Sequence, residues 1–287
     1  MFGFLNIYKP VGMTSFDVVA VLRKISHIKQ IGHTGTLDPF AEGVLPVCIG
    51  KSTKLIEYLA SDKAYLATVQ FGANTETYDI EGKIVEKFDR QINVTDIENV
   101  LKDFEGEIEQ YPPIYSAIKV NGKKLYDYAR AGQKVEIKPR KVNIYKIELR
   151  SFDFESQSAQ IYVECSKGTY IRSIANDLGK KLESGGYLTK LVRTKAGKFG
   201  LDTTVKLEDI KTEEDVERNL LNPASYLDLR SYNLNDYECE RVGHGMAIKN
   251  VEFNSGEVVI LLYGGKIYAI GIAESSWIKA KKVFGVL

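Results

Sequence analysis

Residues 32–50, GHTGTLDPFAEGVLPVCIG, restrict this chain more than any other segment. Glycine recurs at 32, 35, 43 and 50, with proline at 39 and 46. The stretch matches neither a helix nor a regular strand, so its surroundings must hold it in one conformation. Asp38 precedes Pro39, whose ring disfavours the α region for the residue before it and keeps that backbone extended. Spacing alone also allows Asp38 to be a simple turn residue, since Asx-Pro is common in turns. GHTG is not a phosphate loop, because no GK[ST] follows in register.

The chain around this segment is that of a folded globular protein. It has 287 residues, 44% hydrophobic and 27% charged, which excludes a disordered, collagen-like or disulfide-scaffold chain. Lys and Arg number 39 against 38 Asp and Glu, a net charge of +1. That total argues against a nucleic-acid binder, but it is an average over segregated charge. Residues 119–146 hold nine bases (Lys119, Lys123, Lys124, Arg130, Lys134, Lys138, Arg140, Lys141, Lys146) against Asp127 and Glu136, a net +7. Residues 184–200 add +4 through Lys190, Arg193, Lys195 and Lys198, while residues 76–109 carry −7. Cys48, Cys165 and Cys239 are odd in number and form no CxxC pair. They read as reduced thiols in a cytoplasmic protein. The three histidines supply no metal-ligand cluster. The N-terminus lacks the basic and apolar regions of a signal peptide, and no apolar run approaches a membrane span.

Periodicity predicts a strand over 2–8 and a helix capped by Thr14 and Asp17. It predicts helices over 53–59, 94–104, 125–131 and 169–182, the last with Thr169 as its N-cap. Strands are expected over 65–71, 115–120, 142–152, 159–165 and 187–199, with a turn at Asn121-Gly122. Helices and strands mix without βαβ alternation, which gives an α+β class with a mixed, mainly antiparallel sheet. A boundary near Asn222-Pro223 divides a large domain, 1–222, from a β-rich module, 223–287. That module contains a hairpin about Gly264-Gly265.

GHTGTLDPFAEGVLPVCIGKSTK closely resembles the catalytic motif of the bacterial tRNA pseudouridine synthase B family. FLNIYKPVGMTSFDVV, DKAYLATVQFGANTETYDIEG, YPPIYSAIKVNGKKLYDYARAG, CSKGTYIRSIANDLG and YLTKLVRTKAGKFG resemble further blocks of that family in the same order. The likeness runs over about residues 2–200. Residues 225–287 resemble the RNA-binding module called PUA more weakly. The resemblance implies a pseudouridine synthase fold and isomerisation of the T-loop uridine at tRNA position 55. It implies no metal, nucleotide or redox cofactor.

By the same resemblance, Asp38 is the catalytic aspartate, acting on the sugar as nucleophile or as a base at C2′. Arg172 pairs with it. Tyr65 stacks on the target base and takes the C5 proton. Leu191 and Tyr170 line the site, Lys9 and Pro10 support its floor, and Asp79 lies near it. His33 helps displace the nucleotide rather than transfer protons. Lys119, Lys123, Lys124, Arg130 and Arg193 are assigned to RNA contact. The implied partner is tRNA, by its T-arm stem-loop and by its acceptor arm through the C-terminal module, with the protein a monomer needing no protein partner. Three other readings stand beside this one: a tRNA-folding protein that opens the T-loop, a guide-RNA-dependent synthase, and a carboxylate glycosidase. The last lacks an evident second catalytic carboxylate.

Overall fold

The N-terminal run is apolar without alternation because both of its faces are covered. It forms β1 (Gly3–Lys9), with Leu5 and Ile7 in one core and Phe4 in another. The computed structural model describes residues 1–285 other than 117, 121, 134 and 251. Helix α1 (Ser15–Ser26) starts at Thr14, where Thr14 and Asp17 form the expected reciprocal capping box.

The glycine-rich segment is more regular than its composition suggests. β2 (Ile31–His33) and β3 (Glu42–Ile49) pair antiparallel and leave residues 34–41 as the loop bearing Asp38. β3 also pairs with β1 over seven residues. Tertiary ladder bonds here outweigh the poor strand preference of Gly and Pro. Gly50–Tyr58 is a 3-10 helix rather than an α-helix.

The chain continues through β4 (Lys63–Phe71), β5 (Ala73–Thr75), β6 (Ile84–Lys87), α2 (Val94–Leu101) and β7 (Gly106–Gln110). Among the described residues of the strand expected over 115–120, only β8 (Lys119–Val120) forms; it pairs with β9 (Lys123–Lys124), which leads into α3 (Leu125–Arg130). Asn121 of the expected turn lies outside the described residues. Then follow β10 (Arg140–Asp153), β11 (Ser158–Cys165), α4 (Ile171–Lys181), β12 (Gly186–Ala196), β13 (Phe199–Gly200), β14 (Val205–Lys206) and α5 (Glu213–Arg218).

These strands make a ten-stranded sheet with the main order β14-β1-β3-β12-β4-β11-β10-β7, and with β2 and β13 on side branches. The β1–β14 and β3–β12 pairs are parallel and the others antiparallel. The mixed, mainly antiparallel α+β class is the one observed. α1, α2 and α4 bury Val18, Leu22, Ile97, Leu101, Ile174 and Leu178 in the core that also takes Leu5 and Ile7.

The C-terminal part comprises β15 (Arg230–Asn233), α6 (Asp236–Gly243), β16 (Ile248–Lys249), β17 (Val258–Tyr263), β18 (Lys266–Ala273) and β19 (Trp277–Val283). Its strands form a separate five-stranded sheet, ordered β15-β17-β18-β19-β16. β17 and β18 form the expected hairpin, whose turn glycines 264 and 265 both have positive φ. This small β-rich unit is PUA-like. It packs on the large sheet through a shared apolar core in which Phe4, Val44, Cys48, Leu55 and Phe199 meet Leu227, Ile260, Ile267, Ile270 and Phe284.

Candidate active site

Three adjacent central strands, β3, β12 and β4, bring the chemistry together. The loop before β3 carries Asp38, β4 carries Tyr65, and β12 carries Leu191 and Arg193. The N-terminus of α4 adds Arg172.

The Asp38 loop is pinned from three sides. Ser15 Oγ accepts from the Leu37 amide at 2.8 Å and donates to its carbonyl at 3.2 Å. The Gly12 amide donates to Pro39 O at 2.8 Å. The wholly buried Lys9 ammonium donates to Pro10 O and Met13 O at 2.8 and 2.5 Å, and to Pro39 O at 3.4 Å. Burial lowers the Lys9 pKa to about 8, with Asp38 opposing the shift.

Arg172 lies between two carboxylates. Its Nη2 donates to Asp38 Oδ1 at 3.2 Å, and its Nε is 3.0 Å from Asp38 Oδ2 without hydrogen-bond alignment. Its Nη1 donates to Asp79 Oδ2 at 3.1 Å and to Thr77 O at 3.3 Å. Tyr115 O accepts from Nη2 at 3.1 Å. The Asp79 side chain is 2% exposed and that of Arg172 7%, whereas Asp38 keeps 34% of its side chain open to the cleft. Burial raises the Asp38 pKa, Arg172 lowers it, and the Asp79 charge raises it further; the net direction is up. Tyr78, just before Asp79, has φ +62°, an unfavourable left-handed conformation for a tyrosine.

The N-cap of α4 differs from the expectation. Thr169 donates to Ser166 O at 2.9 Å instead, and Tyr170 occupies the cap position with no side-chain cap bond. Gln110 holds the Tyr170 backbone at both ends: Tyr170 N donates to Oε1 at 2.7 Å and Nε2 donates to Tyr170 O at 3.0 Å. Arg172 still falls in the first helical turn, where a cation opposes the helix dipole; its two carboxylate contacts offset that cost.

A cleft of about 550 Å³ opens at this point. Asp38, Tyr65, Arg172, Leu191, Tyr170, Tyr126 and Arg130 all line it. Burial pushes the Tyr65 hydroxyl up to about 12, with Arg193 as the leading opposing influence. His33 stands outside the lining, half-buried and edge-on to the exposed Phe16 ring, with centroids 5.9 Å apart. Its Nδ1 has no partner among the described residues, and burial followed by Arg193 lowers its pKa. Both influences favour the neutral ring.

Arg193 is not a surface cation. It is 0% exposed, and Nε, Nη2 and Nη1 donate to Val44 O, Gly35 O and Thr36 O at 2.7, 3.1 and 3.4 Å. The alternation of β12 turns this residue inward, so in this fold it cannot meet an RNA phosphate. Charge segregation along the chain is also partly undone in space. β10 pairs with the acidic β7, setting Lys141 against Glu107 at 2.7 Å, while Lys190 pairs with Glu42 at 3.1 Å and Lys198 with Asp228 at 2.7 Å. Lys119 and Arg130 are exposed. Lys123 is half-buried against the Tyr128 ring at 4.6 Å, and Lys124 follows it in β9. Lys134 lies outside the described residues. Sequence reasoning missed Ser15, Thr77, Gln110 and the Tyr115 carbonyl, all of which act through contacts that no local pattern marks.

An aspartate and an arginine 134 positions apart in sequence thus share a cleft with an apolar wall and a buried tyrosine. The model described as TruB family pseudouridylate synthase (N terminal domain) matches residues 23–171, and the one described as tRNA pseudouridylate synthase B C-terminal domain matches 172–228. The chain belongs to the TruB family of pseudouridylate synthases. It is accordingly an isomerase of that family. A tRNA pseudouridine synthase B of Caldanaerobacter subterraneus subsp. tengcongensis is 44% identical over 98% of this chain and 99% of its own length. One of Carboxydothermus hydrogenoformans is 45% identical over 99% of each. Among solved structures, a chain of a Cbf5–Nop10–Gar1 complex superposes with a TM-score of 0.74 at 26% identity, covering 99% of this chain and 85% of that one. The fold is thus common to TruB and Cbf5 proteins, while the sequence relatives carry the name tRNA pseudouridine synthase B. Among the described residues, no helix is long and apolar enough to cross a membrane.

Proposed function

We propose that this enzyme converts the T-loop uridine at tRNA position 55 to pseudouridine, with Asp38 as the group that acts on the sugar. The observation that carries this reading is the Asp38 carboxylate, open to the cleft on one side and gripped by Arg172 on the other. The reaction breaks the N1–C1′ bond, turns the base, and joins C5 to C1′. A carboxylate can start it by attacking the sugar or by taking a proton from C2′. Either route needs Asp38 ionised, and Arg172 favours that form against burial.

The reactive atoms of a stacked uridine are out of reach, so the base must be extruded at a cost of a few kcal/mol. Tyr65 and Leu191 offer the flipped base an aromatic face and an apolar wall, with Tyr170 beside them. His33, neutral and edged by Phe16, serves the displaced strand rather than proton transfer. Lys119, Lys123, Lys124 and Arg130 hold the T-arm backbone. Residues 223–287 form the module that meets the acceptor arm, and 1–222 the catalytic domain. The protein acts in the cytoplasm as a monomer.

Incubation with an unmodified tRNA transcript, followed by mapping of pseudouridine at each position, tests this directly. Product at the T-loop site is expected, and Asp38→Asn should abolish it while leaving RNA binding largely intact. Product from Asp38→Asn would overturn the assignment. Activity on a bare T-arm stem-loop without guide RNA separates this reading from the guide-dependent one.

A further inference from the structure

Arg193 is a fully buried guanidinium whose hydrogen-bond acceptors are the carbonyls of Gly35, Thr36 and Val44. Carbonyls satisfy its N–H groups but not its charge. Among the described residues, no carboxylate is in ion-pair contact with it, and Asp38 is engaged by Arg172. Leaving a buried charge without a counter-ion is expensive, so the acidic group set beside it is informative. That group is Tyr65, directly opposite Arg193 across the β4–β12 pair and electrostatically coupled to it.

The contact is built into the sheet. Tyr65 and Arg193 are directly opposed across the antiparallel β4–β12 pair, so their side chains share a face. On its other edge β12 runs parallel to β3, with Gly43 level with Arg193. A β-carbon on Gly43 would lie 2.3 Å from the Arg193 carbonyl oxygen. Two of the carbonyls that Arg193 holds, those of Gly35 and Thr36, belong to the loop that bears Asp38. One guanidinium therefore ties the tyrosine to the aspartate loop. Lys63, half-buried and with its pKa lowered chiefly by desolvation, adds a second cation to this neighbourhood.

We propose that Arg193 is a positioning residue for the proton-removal half of the reaction, fixing the Tyr65 oxygen and supplying the counter-charge for its phenolate. This rests on the function proposed above. In that step the C5–H bond breaks, its electron pair returns to the pyrimidine ring, and the proton bonds to the Tyr65 oxygen. The phenolate forms beforehand by loss of the tyrosine proton to water, and the phenol afterwards returns to that state by the same route. Burial raises Tyr65 and lowers Arg193, and each group's presence opposes the other's shift, as expected of a mutually stabilising pair.

The test uses a T-arm stem-loop with protium or deuterium at uridine C5, followed in single turnovers from pH 7 to 9. Variants are Arg193→Met, Arg193→Lys, Tyr65→Phe, and Tyr65→Phe combined with Arg193→Met. Arg193→Met should slow product formation by about 10²-fold, develop a C5 isotope effect larger than the parent's, and recover partly as pH rises. Arg193→Lys should restore part of the rate. Arg193→Met should cost little more once Tyr65 is Phe. A loss of equal size at every pH, with an unchanged isotope effect, would overturn the proposal. Should Arg193→Met fail to fold, Arg193→Lys carries the same test, and an unaltered pH profile and isotope effect at reduced rate would count against it. Absence of product from the parent enzyme would instead sink the function reading.

Discussion

Asp79 takes the Nη1 end of the Arg172 guanidinium at 3.1 Å while Asp38 takes Nη2 at 3.2 Å. The buried carboxylate of Asp79 thus orients the cation that grips the half-buried one of Asp38. Its charge also reaches Asp38 and raises that group's pKa. Asp79→Asn removes this charge, so the acid limb of kcat/KM should move to lower pH. The plateau should fall by about 10²-fold because Arg172 is less firmly held. A pH–rate profile of parent and variant measures both, and a limb that moves upward would contradict the geometry.

Asp38 also carries a stability cost. Its folded pKa lies above the ordinary value of 3.8, chiefly through burial. The folded state therefore binds this proton more tightly than the unfolded state, and stability falls as pH rises through the two values. At neutral pH the full cost is present. Asp38→Asn should be inactive yet melt about 2 °C higher, with Asp79 still pairing Arg172. Calorimetry at pH 7 and pH 4 checks this, and the gain should shrink at the lower pH.

Gly43 has φ +105°, and a β-carbon there would strike the Arg193 backbone. Gly43→Ala should destabilise the protein by about 3 kcal/mol and impair the site through both β3 and β12. Urea denaturation gives the stability. Activity that survives in step with the folded fraction would show that the strain stays local.

The C-terminal unit shares a core with the catalytic sheet. Removing residues 223–287 uncovers Phe4, Val44, Leu55 and Phe199, each worth about 1.5–3 kcal/mol of burial. The fragment 1–222 should melt well below the full chain or be insoluble, so the module contributes stability besides any RNA affinity. Thermal melts of the two chains decide this.

Arg130 is exposed at the rim of the cleft, with its guanidinium over the Tyr126 ring at 5.4 Å. Arg130→Ala should weaken tRNA binding and reduce the slope of log K against log salt by about 1. The buried Arg193 should leave that slope unchanged in any variant that folds. Filter binding at several salt concentrations separates the two arginines.

Much of this protein was readable from its residues. The Thr14–Asp17 cap, the β17–β18 hairpin and the α+β class rest on local rules of capping, turn chemistry and period, which act over a few residues. The motifs around Asp38, Tyr65 and Arg172, singled out by resemblance, supply residues that line one cleft. Distance in space was not legible. That Asp38 and Asp79 share Arg172 depends on a helix, a loop and a turn meeting. The regularity of 31–49 depends on strand partners that supply its hydrogen bonds. Arg193 and Lys190 look alike as members of a basic run, but the pleat of β12 and the two strands beside it bury one and leave the other exposed. The sequence alone determined which residues are available for chemistry; tertiary structure decided which of their charges face solvent, which face each other, and which are held in the dark beneath the cleft, because burial and counter-charge are properties of neighbours that chain order does not contain.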